Sequence, residues 1–168
     1  MQQVPRLRME RVLTVESVVE AALATHVGGR AYFDQLDEYL RQPEFFDQLA
    51  DLALQDQTRH IVVTGKFGIA FADWHRENPR FDSVITLEGG LRYDVMPRGV
   101  NLRILGRRYA FLDDSLYAGR TLSKVHGLFM NQGAHVTGAY VLYDGSLNLR
   151  RSVHSLYRYY DFHANPRT

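Results

Sequence analysis

The sequence predicts an α/β fold: a three-layer core in which a parallel β-sheet is flanked by helices, preceded by a helical N-terminal segment and interrupted by a flexible hairpin. Three observations lead there. From His60 onward, short apolar runs of strand length alternate with longer stretches of helical periodicity, the pattern of repeated strand–helix–strand units. Before that, from about Val15 to Gln57, apolar residues recur only at three- and four-residue spacing. The 168 residues, 45% apolar and 12% aromatic, suffice for one domain with a real core and leave little room for a second.

The elements follow in order. Val18, Val19, Ala22 and Leu23 mark a first helix that Gly28-Gly29 stops. Phe33, Leu36, Tyr39 and Leu40 mark a second, and Phe45, Phe46, Leu49, Leu52 and Ala53 a third that Pro43 can start. These helices read as a lid or outer layer. His60–Thr64 (HIVVT) reads as a buried strand, Phe67 to about Asn78 as a helix, and Ser83–Leu87 (SVITL) as a second strand. Gly89–Gly106, rich in Gly and with one Pro, fits a hairpin or mobile loop. Tyr109–Leu112 is another strand, Thr121–Gln132 another helix with Leu122, Val125, Leu128 and Phe129 inward, and His135–Leu142 a further strand. The expected organisation is one domain over 1–168. It comprises a helical N-terminal extension or hood at 1–57, an α/β core at 58–145 and a C-terminal aromatic tail at 146–168.

Composition narrows the chemistry. There is no cysteine, so disulfides, thiolate nucleophiles and Cys-ligated metals are excluded. The seven histidines lack HxxxH or HxH spacing, which argues against a dedicated zinc site, and neither a Walker loop nor a Gly-x-Ser-x-Gly elbow occurs. No run reaches the roughly 18 to 20 apolar residues of a spanning helix, and the N-terminus lacks a signal-peptide core. The expectation is a cytoplasmic protein without a membrane partner. A net charge of +1 conceals an asymmetry: residues 1–91 carry net −5 and residues 92–168 net +6. Of the 20 basic residues, 18 are Arg. An Arg-rich half suits a phosphorylated ligand, and equally a solvated surface. No basic cluster interleaved with aromatics is dense enough to argue for a nucleic-acid partner.

The informative stretch is Arg108–Leu122, RYAFLDDSLYAGRTL. An apolar strand ends in Asp113 and Asp114, a short turn contains Gly119, and a helix begins near Thr121. In open α/β sheets, ligands bind beyond the C-terminal ends of strands, where helix N-termini offer unpaired N–H groups to an anion. Gly119 lets the backbone approach a phosphate, the Thr121 hydroxyl and successive amides can hold its oxygens, and Arg120 adds charge. Paired carboxylates would repel that phosphate, so their natural partners are ribose hydroxyls, or a magnesium ion through water. Together these features describe a sugar-phosphate site.

Asp113-Asp114-Ser115-Leu116-Tyr117-Ala118-Gly119-Arg120-Thr121 resembles the phosphoribosyl-diphosphate (PRPP) signature of the type I phosphoribosyltransferases. It is closest to the version D-D-V-L-Y-T-G-R-T of pyrimidine-operon regulators with uracil phosphoribosyltransferase activity. The resemblance implies that Asp113 and Asp114 hold the ribose 2′- and 3′-hydroxyls and that the segment from Tyr117 through Ala118, Gly119 and Arg120 to Thr121 binds the 5′-phosphate. Ala118 stands where Thr or Ser is usual. Purine-type members often carry Asp at the position of Tyr117, so the acceptor implied is pyrimidine-like or non-purine.

More loosely, the likeness extends over His60–Tyr143. Thr64-Gly65-Lys66-Phe67-Gly68 occupies the place of the diphosphate-binding loop, with Lys66 meeting the leaving group; a surface lysine beside a turn fits the same pattern. The hairpin Arg92–Gly106 sits where the family has its flexible catalytic loop, and Arg92 and Arg98 echo its basic residues. The loop lysines are absent, with Tyr93, Val95 and Met96 in their region. The base-binding hood could come from residues 1–57 or from the tail, where Tyr157, Tyr159, Tyr160 and Phe162 could stack on a base or serve a core or dimer contact. The turn Asp144-Gly145-Ser146 is also placed for base contacts. The implied activity is phosphoribosyl transfer from PRPP to a nucleobase, with Mg2+ as cofactor, held through PRPP and water near Asp113 and Asp114 and not by direct ligation. A homodimer is the implied assembly. The alternative is a non-catalytic member of the fold that binds PRPP or a nucleotide as a regulator.

Overall fold

The computed structural model describes residues 30–87, 107–146 and 152–158, with side chains described from Asp34 onward. Two helices come first: α1 (Arg30–Leu40) and α2 (Pro43–Leu54). Pro43 occupies the first turn of α2 and Gln42 before it is extended, since Pro has no N–H to lose there and disfavours helix in its predecessor. The sheet follows as β1 (His60–Thr64), α3 (Gly65–Glu77), β2 (Ser83–Leu87), β3 (Arg108–Leu116), α4 (Arg120–Asn131), β4 (His135–Asp144) and β5 (Val153–Arg158). The five strands are all parallel, in the order β2-β1-β3-β4-β5.

Alternation along the strands divides the core in two. Ile61, Val63, Ala110, Leu112, Tyr140 and Leu142 face α1, α2 and α3, while Val62, Phe111, Ala139 and Val141 face α4. The first layer is built on aromatic edges. Phe46 meets Phe67, Phe71 and Trp74 at ring-centroid distances of 5.7, 5.4 and 5.6 Å in edge-to-face geometry. Leu36, Leu40, Leu49, Ala50 and Ala53 are completely buried beside them. The expected third helix thus covers one face of the sheet, and the expected first lies outside the described residues.

Several boundaries differ from expectation, each for a physical reason. β3 runs four residues past Leu112, because Asp113, Ser115 and Leu116 pair with Val141, Tyr143 and Asp144 of β4, which itself runs two residues past Leu142. Asp and Ser are poor strand formers in isolation, and pairing with a central neighbour overrides that preference. The 146–168 segment is more than an aromatic tail: Val153–Arg158 is a fifth strand paired along β4. The segment Thr64–Gly68 is not a loop. Thr64 ends β1 in extended conformation and Gly65, at φ 62°, opens α3 directly. The expected hairpin of residues 92–106 lies outside the described residues.

Candidate functional site

Where β3 hands over to α4, the chain builds a pocket of about 280 Å³ lined by Asp113–Leu122, Phe111 and Asp37. All nine residues of the resemblance, Asp113 to Thr121, therefore reach one cavity. The turn depends on Gly119, whose φ of 76° and ψ of 21° place it in the left-handed region. A side chain there would clash with its own carbonyl, so glycine is the natural occupant. Gly119 is also the N-cap of α4: its carbonyl accepts the Ser123 N–H at 3.0 Å, and no acidic side chain sits in the first helical turn. The first N–H groups of α4 are left open to an anion, beside exposed Arg120 and half-buried Thr121. Leu116 is largely a core residue, packed toward α4.

The acid pair is anchored by its own backbone. The Asp114 N–H donates to Asp113 Oδ1 at 2.9 Å, and the Ser115 N–H donates to Asp114 Oδ1 at 2.8 Å. Two further groups come from α1 and the residue that follows it. The Ser115 hydroxyl donates to the Asp37 carboxylate, and Arg41 Nη1 stands 3.4 Å from Asp114 Oδ2. Three carboxyl groups thus line one pocket. Burial, followed by the charge of Asp114, raises the Asp113 carboxyl well above its usual range. Burial also raises Asp114, opposed by its bond with Asp113 and by the Arg41 guanidinium. Asp37 is pushed up to about 7 by burial and then by Asp114. In each case burial disfavours the ionised form. Tyr117 is held as a neutral phenol by burial and by the charge of Asp37, its ring edge-on to Tyr143 at 6.2 Å.

The other expected site residues are distributed differently. Thr64, Gly65, Lys66, Phe67 and Gly68 lie at the end of β1 and in the first turn of α3, and none lines the 113–122 pocket. Phe67 is 2% exposed in the core and Gly68 packs on Val63, so these two face inward and only Lys66 is exposed to solvent. Because β1 pairs with β3, Lys66 nevertheless stands at the same C-terminal sheet edge as the acid pair. Arg92 and Arg98 lie outside the described residues, as do Tyr159, Tyr160 and Phe162. Tyr157 is on β5, half-buried against the first core layer. In the 144–146 turn, the buried Asp144 carboxylate accepts the N–H and hydroxyl of Ser146 at 2.9 and 2.6 Å, so it is engaged in shaping its own turn.

Sequence reasoning missed Asp37 and Arg41. The one signal available was their spacing of four, which puts both on one side of a helix. Nothing local connects them to acids more than 70 residues away. For magnesium, the chemistry is suitable but indirect: carboxylate oxygens are available, yet among the described residues no group of three or more His, Asp or Glu is arranged to hold a cation directly.

No family model and no curated protein matches the sequence. Solved structures do match. Adenine phosphoribosyltransferase from Thermoanaerobacter pseudethanolicus superposes with a TM-score of 0.50 at 15% identity, over 71% of this chain and 83% of that one. A hypoxanthine-guanine phosphoribosyltransferase from Bacillus anthracis gives 0.49 at 18% identity, over 73% and 78%. Orotate phosphoribosyltransferase from Aeropyrum pernix gives 0.47 at 15%, over 89% and 80%. The parallel five-stranded sheet flanked by helices is accordingly the type I phosphoribosyltransferase fold.

Proposed function

We propose that this protein transfers the 5-phosphoribosyl group of PRPP to a nucleobase-like, pyrimidine-leaning acceptor, with release of diphosphate. The observation that carries this reading is the pocket lined together by Asp113, Asp114, the Gly119 turn and the first residues of α4. In it, the two carboxylates accept the ribose hydroxyls, while the amides from Ala118 to Thr121, the Thr121 hydroxyl and Arg120 hold the 5′-phosphate. Lys66, at the neighbouring strand end, meets the diphosphate, with Arg92 and Arg98 assigned to the same task by resemblance. Asp113 and Asp114 would hold Mg2+ indirectly, together with PRPP, and the cation would supply charge neutralisation of the leaving group.

Cleavage of the C1′–diphosphate bond leaves oxocarbenium character at C1′, and a nucleobase nitrogen then attacks from the opposite face. Little covalent chemistry falls to the protein. Its contribution is orientation, electrostatic stabilisation and exclusion of water. Diphosphate release from PRPP in the presence of a nucleobase panel tests the reading. By titration calorimetry, Asp113→Asn/Asp114→Asn is expected to abolish PRPP binding; unchanged binding refutes the site.

A second reading is favoured by one observation: the region of the flexible-loop lysines carries Tyr93, Val95 and Met96. In it the fold binds PRPP or a nucleotide as a regulator without transfer. PRPP binding without diphosphate release under any acceptor supports this version.

A further inference from the structure

Asp114 is held at both of its oxygens by different parts of the fold. Its Oδ1 accepts the Ser115 N–H at 2.8 Å, a bond internal to β3. Its Oδ2 faces Arg41 Nη1 at 3.4 Å, across 73 residues of chain. The Arg41 side chain is only 23% exposed, and its backbone N–H bonds back to the Asp37 carbonyl at 3.2 Å, so the guanidinium is delivered by the end of α1 and does not roam the surface. α1 in turn is anchored by completely buried Leu36 and Leu40.

A carboxylate offers about four acceptor positions, and one restrained at both oxygens has lost its freedom to rotate. Its remaining acceptor positions then point in fixed directions, which is what a site must do to read a diol. We propose that Arg41 is a positioning residue for ribose recognition: by restraining Asp114 it sets the preference of the pocket for a sugar phosphate with both hydroxyls over one lacking the 2-hydroxyl. This rests on the sugar-phosphate reading of the pocket given above. The electrostatics agree with it, since the Arg41 charge opposes the upward displacement of both Asp114 and Asp37 and keeps acceptors available. Phosphate binding should be separable, because the Gly119–Thr121 cradle is formed by the turn and the first residues of α4.

The experiment uses the full chain and two probes, ribose 5-phosphate and 2-deoxyribose 5-phosphate, titrated calorimetrically into the wild type, Arg41→Met, Arg41→Lys and Asp114→Asn. The wild type is expected to prefer ribose 5-phosphate by at least about tenfold, in line with sites that reject analogues lacking a recognised hydroxyl. Arg41→Met should lower that preference to about threefold or less while its affinity for the deoxy sugar stays unchanged, which also shows that the variant is folded. Arg41→Lys should restore part of the preference, and adding Arg41→Met to Asp114→Asn should change little more. A wild-type preference in Arg41→Met, or an equal loss for both sugars, overturns the inference and leaves the site reading standing. Failure of the wild type to bind ribose 5-phosphate overturns both.

Discussion

Asp37 is a carboxyl that the folded protein holds at a cost, and replacing it with asparagine should make the protein more stable in alkali. Burial, and then the facing charge of Asp114, raise it from 3.8 to about 7. A group that holds its proton more tightly when folded binds more protons in the native state between these values. Stability therefore falls as pH rises from about 4 to about 7 and stays lowered above. The whole displacement corresponds to about 4 kcal/mol at about 1.4 kcal/mol per tenfold. Asparagine must itself be desolvated, and it loses the charge-assisted bond from Ser115, so about 1–3 kcal/mol of gain remains at pH 8. For a chain of this length that is a rise in Tm of about 3–9 °C, shrinking toward zero near pH 4. Calorimetric melts of wild type and Asp37→Asn from pH 4 to 8.5 measure it. A Tm difference that does not change with pH, or an Asn variant that is less stable at pH 8, refutes the reasoning.

Three other outcomes are expected. Gly119→Ala forces a Cβ into the left-handed conformation, costing about 1–2 kcal/mol in urea denaturation and weakening PRPP binding in titration calorimetry by at least about tenfold. Phe46→Ala empties the centre of the Phe67–Phe71–Trp74 cluster and should cost about 3–5 kcal/mol, read as a lowered urea midpoint. Arg80→Ala removes bonds to Asp47 and Asp51, whose side chains are mostly exposed, so it should cost at most about 1 kcal/mol, and 1 M salt should erase most of the difference.

What the sequence made legible was local. The strand at His60–Thr64 coincides with its apolar run because a buried parallel strand needs apolar side chains on both faces, and Ser83–Leu87 keeps its apolar run although it is half-buried at the sheet edge. The Asp113–Thr121 cradle could be read for the same reason: acid pair, glycine and helix start are contiguous. β5 was illegible because an edge strand with one described neighbour needs little apolar content; Val153, Leu156 and Tyr157 hint at it among polar residues. The extension of β3 through two aspartates depends on β4, which no local propensity encodes. The inward turn of Phe67 and Gly68 arises because α3 starts without an intervening loop, and the Gly68 Cα must approach Val63 closely. Asp37 and Arg41 were hidden by separation, since only the docking of α1 on the sheet brings them to the acids.

That docking also orders events in time. As the chain leaves the ribosome, α1 and α2 emerge with Leu36, Leu40, Phe45, Phe46 and Leu49 exposed, and their partners on β3 and β4 are not synthesised until some 70 to 100 residues later. The sheet assembles in a different order from the chain, with β3 inserting beside β1 after β2 has been made. The pocket at Asp113–Leu122 is thus among the last parts to be completed, drawing on Asp37 of α1 from the first third of the chain and on residues 111–122 of β3 and α4 from far beyond it. Binding of a sugar phosphate would report that β3 has inserted, and an N-terminal fragment ending before β3 would keep the packing of Phe46 on Phe67, Phe71 and Trp74 but lack the strand that carries the acid pair.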